Sequence, residues 1–167
     1  NHKNIEGIIR VVKKLERKID DFRFKLIGEN SGKYIPFAKK TDLNLNKTLF
    51  IDQMPHEEIA HNLKESNLFI LFSNYENLPC VILEAFSCGI PVISTNVGGI
   101  SEFFPNDFGC LIEANDEIGL EKKILEMYTN FTTKKPKMHN YVEANFSELK
   151  IAEKFSKLYQ LSKKTKH

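Results

Sequence analysis

"LFILFSNYENLPCVILEAFSCGIPVIST", residues 68–95, spells out a whole strand–helix–strand unit. "LFILF" is a continuous apolar run of strand length, and "PVIST" is a second. Between them "SNYEN" reads as a polar loop. Pro79 suits the first turn of the apolar helix that follows, and Cys88-Gly89 forms the turn after it. Two apolar strands joined by a helix make a parallel pair covered on both faces. One residue resists this reading: Glu84 lies in the apolar run, between Leu83 and Ala85. A charge buried there is costly unless something compensates it.

The same alternation continues outward. "IEGIIRVVKKLERKI" puts Ile5, Ile8, Ile9, Val12, Leu15 and Ile19 on one helical face. "FRFKLIG" reads as a strand ending at Gly28, "ENSGK" as a turn, and Tyr34–Lys40 as a short helix. "TLFID" is a strand, and "PHEEIAHNLKES" is a helix opened by Pro55 with Glu57 and Glu58 in its first turn. After "PVIST" come a turn at "NVGG", one helical turn at "ISEFF", a strand at "FGCLIE", and a helical pattern from Asn115 onward. The fold class is therefore α/β, a doubly wound parallel sheet. The chain opens directly in a helix, so the first strand of such a sheet is expected to be missing. The Lys-rich end "KKTKH" reads as a frayed, solvated tail.

Composition narrows the function. A chain of 167 residues suffices for one domain with a full core. A net charge of +2 leaves no electrostatic footprint for nucleic acid, and the 13 Phe and 5 Tyr read as core because no basic stripe accompanies them. Cys80, Cys88 and Cys110 lie in apolar surroundings without metal-ligand spacing, so all three read as buried thiols of a reducing compartment. No apolar run reaches membrane-spanning length, and no signal peptide opens the chain. The expected location is cytoplasmic.

In open parallel sheets, ligands bind beyond the carboxyl ends of the strands, where helix N-termini present free N–H groups. Asn77 reads as an N-cap, with the Cys80 and Val81 amides pointing into the crevice. Glu84 shares its helical face with Cys80, Val81, Ser87 and Cys88, which are small or slender and leave room for a ligand. The helix rises only about 7–8 Å from Pro79 to Glu84. Glu76 and Glu84 can thus bracket an extended ligand, each accepting hydroxyls of a sugar or a ribose, with phosphates at the helix start. A nucleotide-sugar fits that layout. Taken alone, the same residues have plainer readings: Glu84 paired with a basic side chain, Glu76 an exposed loop acid, Lys3 a solvated charge. Gly98-Gly99 reads as a tight turn, Glu102 as a capping residue and His56 as a surface residue.

"SNYENLPCVILEAFSCGIPVISTNVGGISEFF" resembles the signature segment of the retaining glycosyltransferases of family 4, which have the two-domain GT-B fold. The match runs through Glu76, Glu84, Ala85, Cys88-Gly89, Pro91-Val92, Gly98-Gly99 and Glu102. "HKN" resembles the element whose lysine binds donor phosphate, which carries that role to Lys3. "FIDQMPHEEI" resembles the segment whose backbone reads the nucleobase, which points to Met54. The resemblance implies that Glu76 contacts the transferred sugar and Glu84 the ribose, and that backbone groups of Asn77, Leu78, Cys80 and Val81 hold sugar and diphosphate. Glu76 and Lys3 are then the catalytic pair. "ENLP" departs from the glycine-containing turn of many members, and Pro79 supplies no N–H.

On this resemblance the chain is the Rossmann-like donor-binding half of a longer enzyme, with C-terminal helices from about residue 134 to 167. The enzyme would transfer a hexose-type sugar from a nucleoside-diphosphate donor, with retention, to a glycan, lipid or other acceptor held through a separate N-terminal domain. Cell-surface polysaccharide synthesis is the expected setting, at the inner face of the membrane if the full enzyme associates peripherally. No cofactor and no divalent metal are expected. A sugar-nucleotide epimerase of the same architecture is the alternative. A receiver-like phosphoacceptor domain built on Asp52 is disfavoured, because "PVISTNVGG" offers no lysine.

Overall fold

The computed structural model describes residues 2–130, 132 and 134–164. Helix α1 (Ile5–Leu15) buries Ile8, Ile9, Val11, Val12 and Leu15. Strand β1 (Phe24–Ile27) follows, then a 3-10 turn (Ser31–Tyr34) and helix α2 (Ile35–Lys40). "ENSGK" is thus partly helical: the Asp52 carboxylate accepts the Ser31 N–H at 3.1 Å and supports the first tight turn. Strand β2 (Thr48–Ile51), helix α3 (His56–Lys64) and strand β3 (Phe69–Leu71) come next, then α4 (Cys80–Ser87) and β4 (Val92–Thr95). The chain continues through α5 (Ile100–Phe103), β5 (Gly109–Ile112), α6 (Glu117–Asn130), α7 (Lys135–Phe146) and α8 (Glu148–Lys164). The frayed tail expected at the end lies, from Thr165, outside the described residues.

All strand pairs are parallel, as the apolar runs require, and the architecture is Rossmann-like α/β. The strands form two pieces, β1–β2 and β3–β4–β5 with β4 in the centre. Among the described residues no ladder joins β1 to β3. One apolar cluster bridges the pieces instead: Ile8, Ile9, Val12 and Leu15 of α1 pack with Phe72, Ile93, Leu120 and Ile124, and partly buried Phe24, Phe50 and Ile70 complete it. Each fully buried aliphatic side chain contributes about 1.5–3 kcal/mol, so this cluster ties the two pieces together. A second cluster fixes α4. Ile82, Ala85 and Phe86 are fully buried, with Phe86 edge-to-face on Phe104 (5.3 Å) and Phe108 (5.2 Å). Helix α7 closes over α4 through Met138 and Tyr141. No helix among the described residues is long and apolar enough to cross a membrane.

The cysteine expectation needs correction. Cys80 is exposed, being the first residue of α4 and turned off the packed face, while Cys88 and Cys110 are half-buried. Burial pushes the Cys88 and Cys110 thiols above their ordinary value.

Candidate functional site

Beyond β3 the chain stays buried through Phe72 and Ser73, then turns over Asn74–Asn77. Glu76 is not the exposed loop acid its sequence context suggests. Its side chain is only 8% exposed, and its Oε1 accepts from Lys3 Nζ at 2.5 Å, with Lys3 itself 47% exposed. A buried carboxylate requires such a partner. The loop is held from below by the turn after β4. Gly98 adopts φ +58°, and a Cβ placed on it would lie 1.9 Å from the Glu76 carbonyl oxygen. Glycine is needed there twice, for the left-handed backbone and for the close approach.

The N-terminal segment is tied to the same loop. The Asn74 N–H donates to the His2 carbonyl at 2.9 Å, and the His2 ring lies against Tyr75 with centroids 5.7 Å apart. Asn4, itself left-handed, accepts from the Gly7 N–H at 3.3 Å to cap α1 and donates through Nδ2 to Asn115 at 3.1 Å. Lys3 is therefore delivered to Glu76 from both sides.

Pro79, not Asn77, occupies the N-cap position of α4, and among the described residues no side chain caps the helix. Asn77 lies two residues too early, and its Oδ1 accepts from the Tyr75 hydroxyl at 2.5 Å instead. The Ile82 N–H donates to the Pro79 carbonyl, while the Cys80 and Val81 amides have no acceptor among the described residues. The helix thus presents two free donors at its positive end. Leu78 is exposed beside them.

Glu84 lies further along α4, half-buried. Among the described residues it has no hydrogen-bond or ion-pair partner for its side chain, so the basic counterion that would make it a structural acid is not there. Met54, in the loop from β2 to α3, is half-buried, and its sulfur lies 3.5 Å from Asn62 Nδ2. Among the described residues no hydrogen bond joins it to Glu76 or Glu84. Asp52 spends its carboxylate on the Ser31 turn, which leaves it poorly placed as a phosphoacceptor. His56 is exposed, as expected, whereas Glu102, read as a capping residue, is exposed and among the described residues α5 has no side-chain cap. Among the described residues no group of three His, Cys, Asp or Glu could hold a metal ion.

Sequence reasoning missed Ser73, whose hydroxyl is fully buried and has no hydrogen-bond partner among the described residues, while its carbonyl accepts from Thr95 Oγ1 at 2.6 Å. Nothing in "LFSNY" distinguishes that serine from a solvated one. The Gly98 contact was half-visible: a paired glycine signals a turn, but not which backbone it approaches.

The profile of the family described as "Glycosyl transferases group 1" matches residues 1–147. The chain is similar to one component of the human phosphatidylinositol N-acetylglucosaminyltransferase, at 27% identity over 161 residues, covering 94% of this chain and 33% of that protein. It spans about a third of the length of such relatives. In fold it is similar to an S. aureus TarM variant solved with fondaparinux, alpha-GlcNAc-glycerol and UDP, with TM-score 0.79, 21% identity, and 95% of this chain and 33% of that one covered. It is also similar to the C-terminal domain of LpcC, a glycosyl transferase group 1 family protein from Francisella tularensis. There the TM-score is 0.71 at 18% identity, over 88% of this chain and 81% of that one.

Proposed function

The chain belongs to the glycosyl transferases group 1 family, and from that premise we propose that it is the donor-binding domain of a retaining enzyme transferring a hexose-type sugar from a nucleoside diphosphate. One observation carries the reading: Glu84, half-buried and without a counterion among the described residues, follows two unsatisfied amides on the same helix. A helix start with free N–H groups suits a diphosphate, and a nearby uncommitted carboxylate suits the paired hydroxyls of a ribose. Glu76 then faces the sugar, Lys3 adds positive charge at the mouth of the site, and Asn77 and Leu78 line it. Met54 is assigned to the nucleobase by resemblance alone.

In transfer, negative charge develops on the departing diphosphate. The Cys80 and Val81 amides, fixed by the packing of α4, stabilise it without reorganising, which is the larger part of what a preorganised site contributes. The proposal includes turnover without a divalent cation.

The chain is read as part of a longer enzyme whose other domain holds a glycan or lipid acceptor. Two observations support this: the greater length of the relatives, and the exposed Leu149, Phe155 and Leu158 on α8. The lipid in the name of the human relative and the UDP in the TarM complex suggest a lipid or glycan acceptor and a UDP-sugar donor. The test is transfer by the longer enzyme with a chelator present, its product linkage read by NMR. An α-linked product from an α-configured donor supports the reading, and a β-linked product overturns retention. Conversion of the donor sugar without transfer would favour an epimerase.

A further inference from the structure

The loop from Ser73 to Pro79 sorts its side chains in threes: Ser73, Glu76 and Pro79 are buried, while Asn74, Tyr75, Asn77 and Leu78 face solvent. We propose that the outward Tyr75 ring is a platform for the acceptor, and that it takes an acceptor ending in a pyranose whose C–H face stacks on it. This rests on the donor-site reading and extends it to the class of acceptor.

Three observations carry the proposal. First, Tyr75 is 55% exposed yet held at both ends. Its hydroxyl donates to Asn77 Oδ1 at 2.5 Å, and its ring lies against the His2 ring, centroids 5.7 Å apart and planes inclined at 55°. A solitary surface tyrosine turns freely. A fixed one offers a large contact area that costs little ordering when a ligand arrives.

Second, the loop beneath the ring is itself fixed. The Asn74 N–H donates to the His2 carbonyl, and Gly98 closes on the Glu76 carbonyl from below. Third, the ring adjoins the place assigned to the transferred sugar. Tyr75 directly precedes Glu76, and its hydroxyl rests on Asn77, which lines the same site. The attacking acceptor oxygen must come within about 3–3.5 Å of the reacting carbon. The last residue of the acceptor therefore lies beside the transferred sugar, where Tyr75 is the exposed aromatic.

The chemistry of the surface selects the occupant. The face of an aromatic ring is flat and electron-rich. A pyranose presents the complement, a face of polarised C–H bonds rimmed by hydroxyls that stay wet. An alkyl chain would need a continuous apolar groove. Here Leu78 is the only other apolar side chain exposed in the loop, and Asn74 and Asn77 interrupt the surface.

The experiment follows by NMR the Tyr75 ring and the backbone amides of residues 73–78 in the isotope-labelled chain. The probes are the methyl α-pyranosides of glucose, galactose, mannose and N-acetylglucosamine. Glycerol, a polyol without a ring face, and n-hexanol, an alkyl chain, are the controls, and parallel titrations with UDP, GDP and ADP read the donor site. At least one pyranoside should shift these signals saturably while neither control does. Tyr75→Leu, which keeps apolar bulk but loses the flat ring, should weaken that binding about fivefold, and Tyr75→Phe should stay within about twofold of the parent. Both variants should keep nucleoside diphosphate affinity within about twofold. No shift with any pyranoside, an equal shift with hexanol, or full affinity in Tyr75→Leu would overturn the platform and leave the donor reading standing. If the parent chain binds none of the three nucleoside diphosphates, the donor reading falls and the acceptor role of Tyr75 falls with it.

Discussion

Replacing Gly98 by alanine tests whether the floor under Glu76 is as tight as the geometry says. The new Cβ would lie 1.9 Å from the Glu76 carbonyl oxygen, on a backbone at φ +58°. Left-handed backbone costs an alanine roughly 1–2 kcal/mol. Relieving the overlap requires a shift of about 1 Å between two backbones, and overpacking of that kind costs roughly 1–3 kcal/mol. Together they predict a loss of about 2–5 kcal/mol in stability. Gly99→Ala is the control, since its Cβ would meet nothing closer than 3.7 Å and its φ of −90° is ordinary. Urea denaturation measures both. The displaced Glu76 should also weaken nucleotide-sugar binding more than nucleoside diphosphate binding in the Gly98 variant. Indistinguishable stabilities for the two variants would refute the reasoning.

Three further outcomes follow from named contacts. Glu84→Gln should weaken nucleotide and nucleotide-sugar binding alike by roughly 1.5–3 kcal/mol, read by calorimetry, with denaturation midpoint unchanged. A lowered midpoint with affinity intact would make Glu84 a structural acid. Iodoacetamide should modify exposed Cys80 before Cys88 and Cys110, whose thiols burial pushes up, and bound nucleotide-sugar should slow that labelling, as mass spectrometry would record. Asp107 is held below its ordinary value by hydrogen bonds from Lys137 (2.5 Å) and Lys134 (3.2 Å). A lowered folded-state value means stability that is present above the unfolded value and lost as pH falls through the folded one. Asp107→Asn should therefore be less stable than the parent near neutrality by under about 1 kcal/mol, a gap that closes in denaturation curves taken below about pH 3.9.

Much of the fold was legible because its signals are local. The apolar face of α1, the strand-length runs and the Pro55 helix start each depend on residues a few positions apart, and the structure reproduces them, except that α1 ends at Leu15 and Ile19 is buried beyond it. The misses all depend on partners distant in sequence or on competition for one group. Asn77 is a good capping residue, but the Tyr75 hydroxyl takes its side chain and Pro79 starts the helix. Cys80 looked buried because its neighbours are apolar, yet the first turn of α4 faces outward there. Glu76 looked exposed because its loop is polar. Its burial comes from the Gly98 turn beneath it and from Lys3 above it, neither of which local composition encodes. The division of the strands into two pieces was equally invisible, since ladder pairing is a property of the assembled sheet.

The most direct test of the central claim is a calorimetric titration of this chain with UDP-, GDP- and ADP-sugars. The account predicts saturable one-to-one binding of a single nucleotide class, weakened by Glu84→Gln for the sugar-bearing and free forms equally. Absence of saturable binding by every member at millimolar concentration would contradict it.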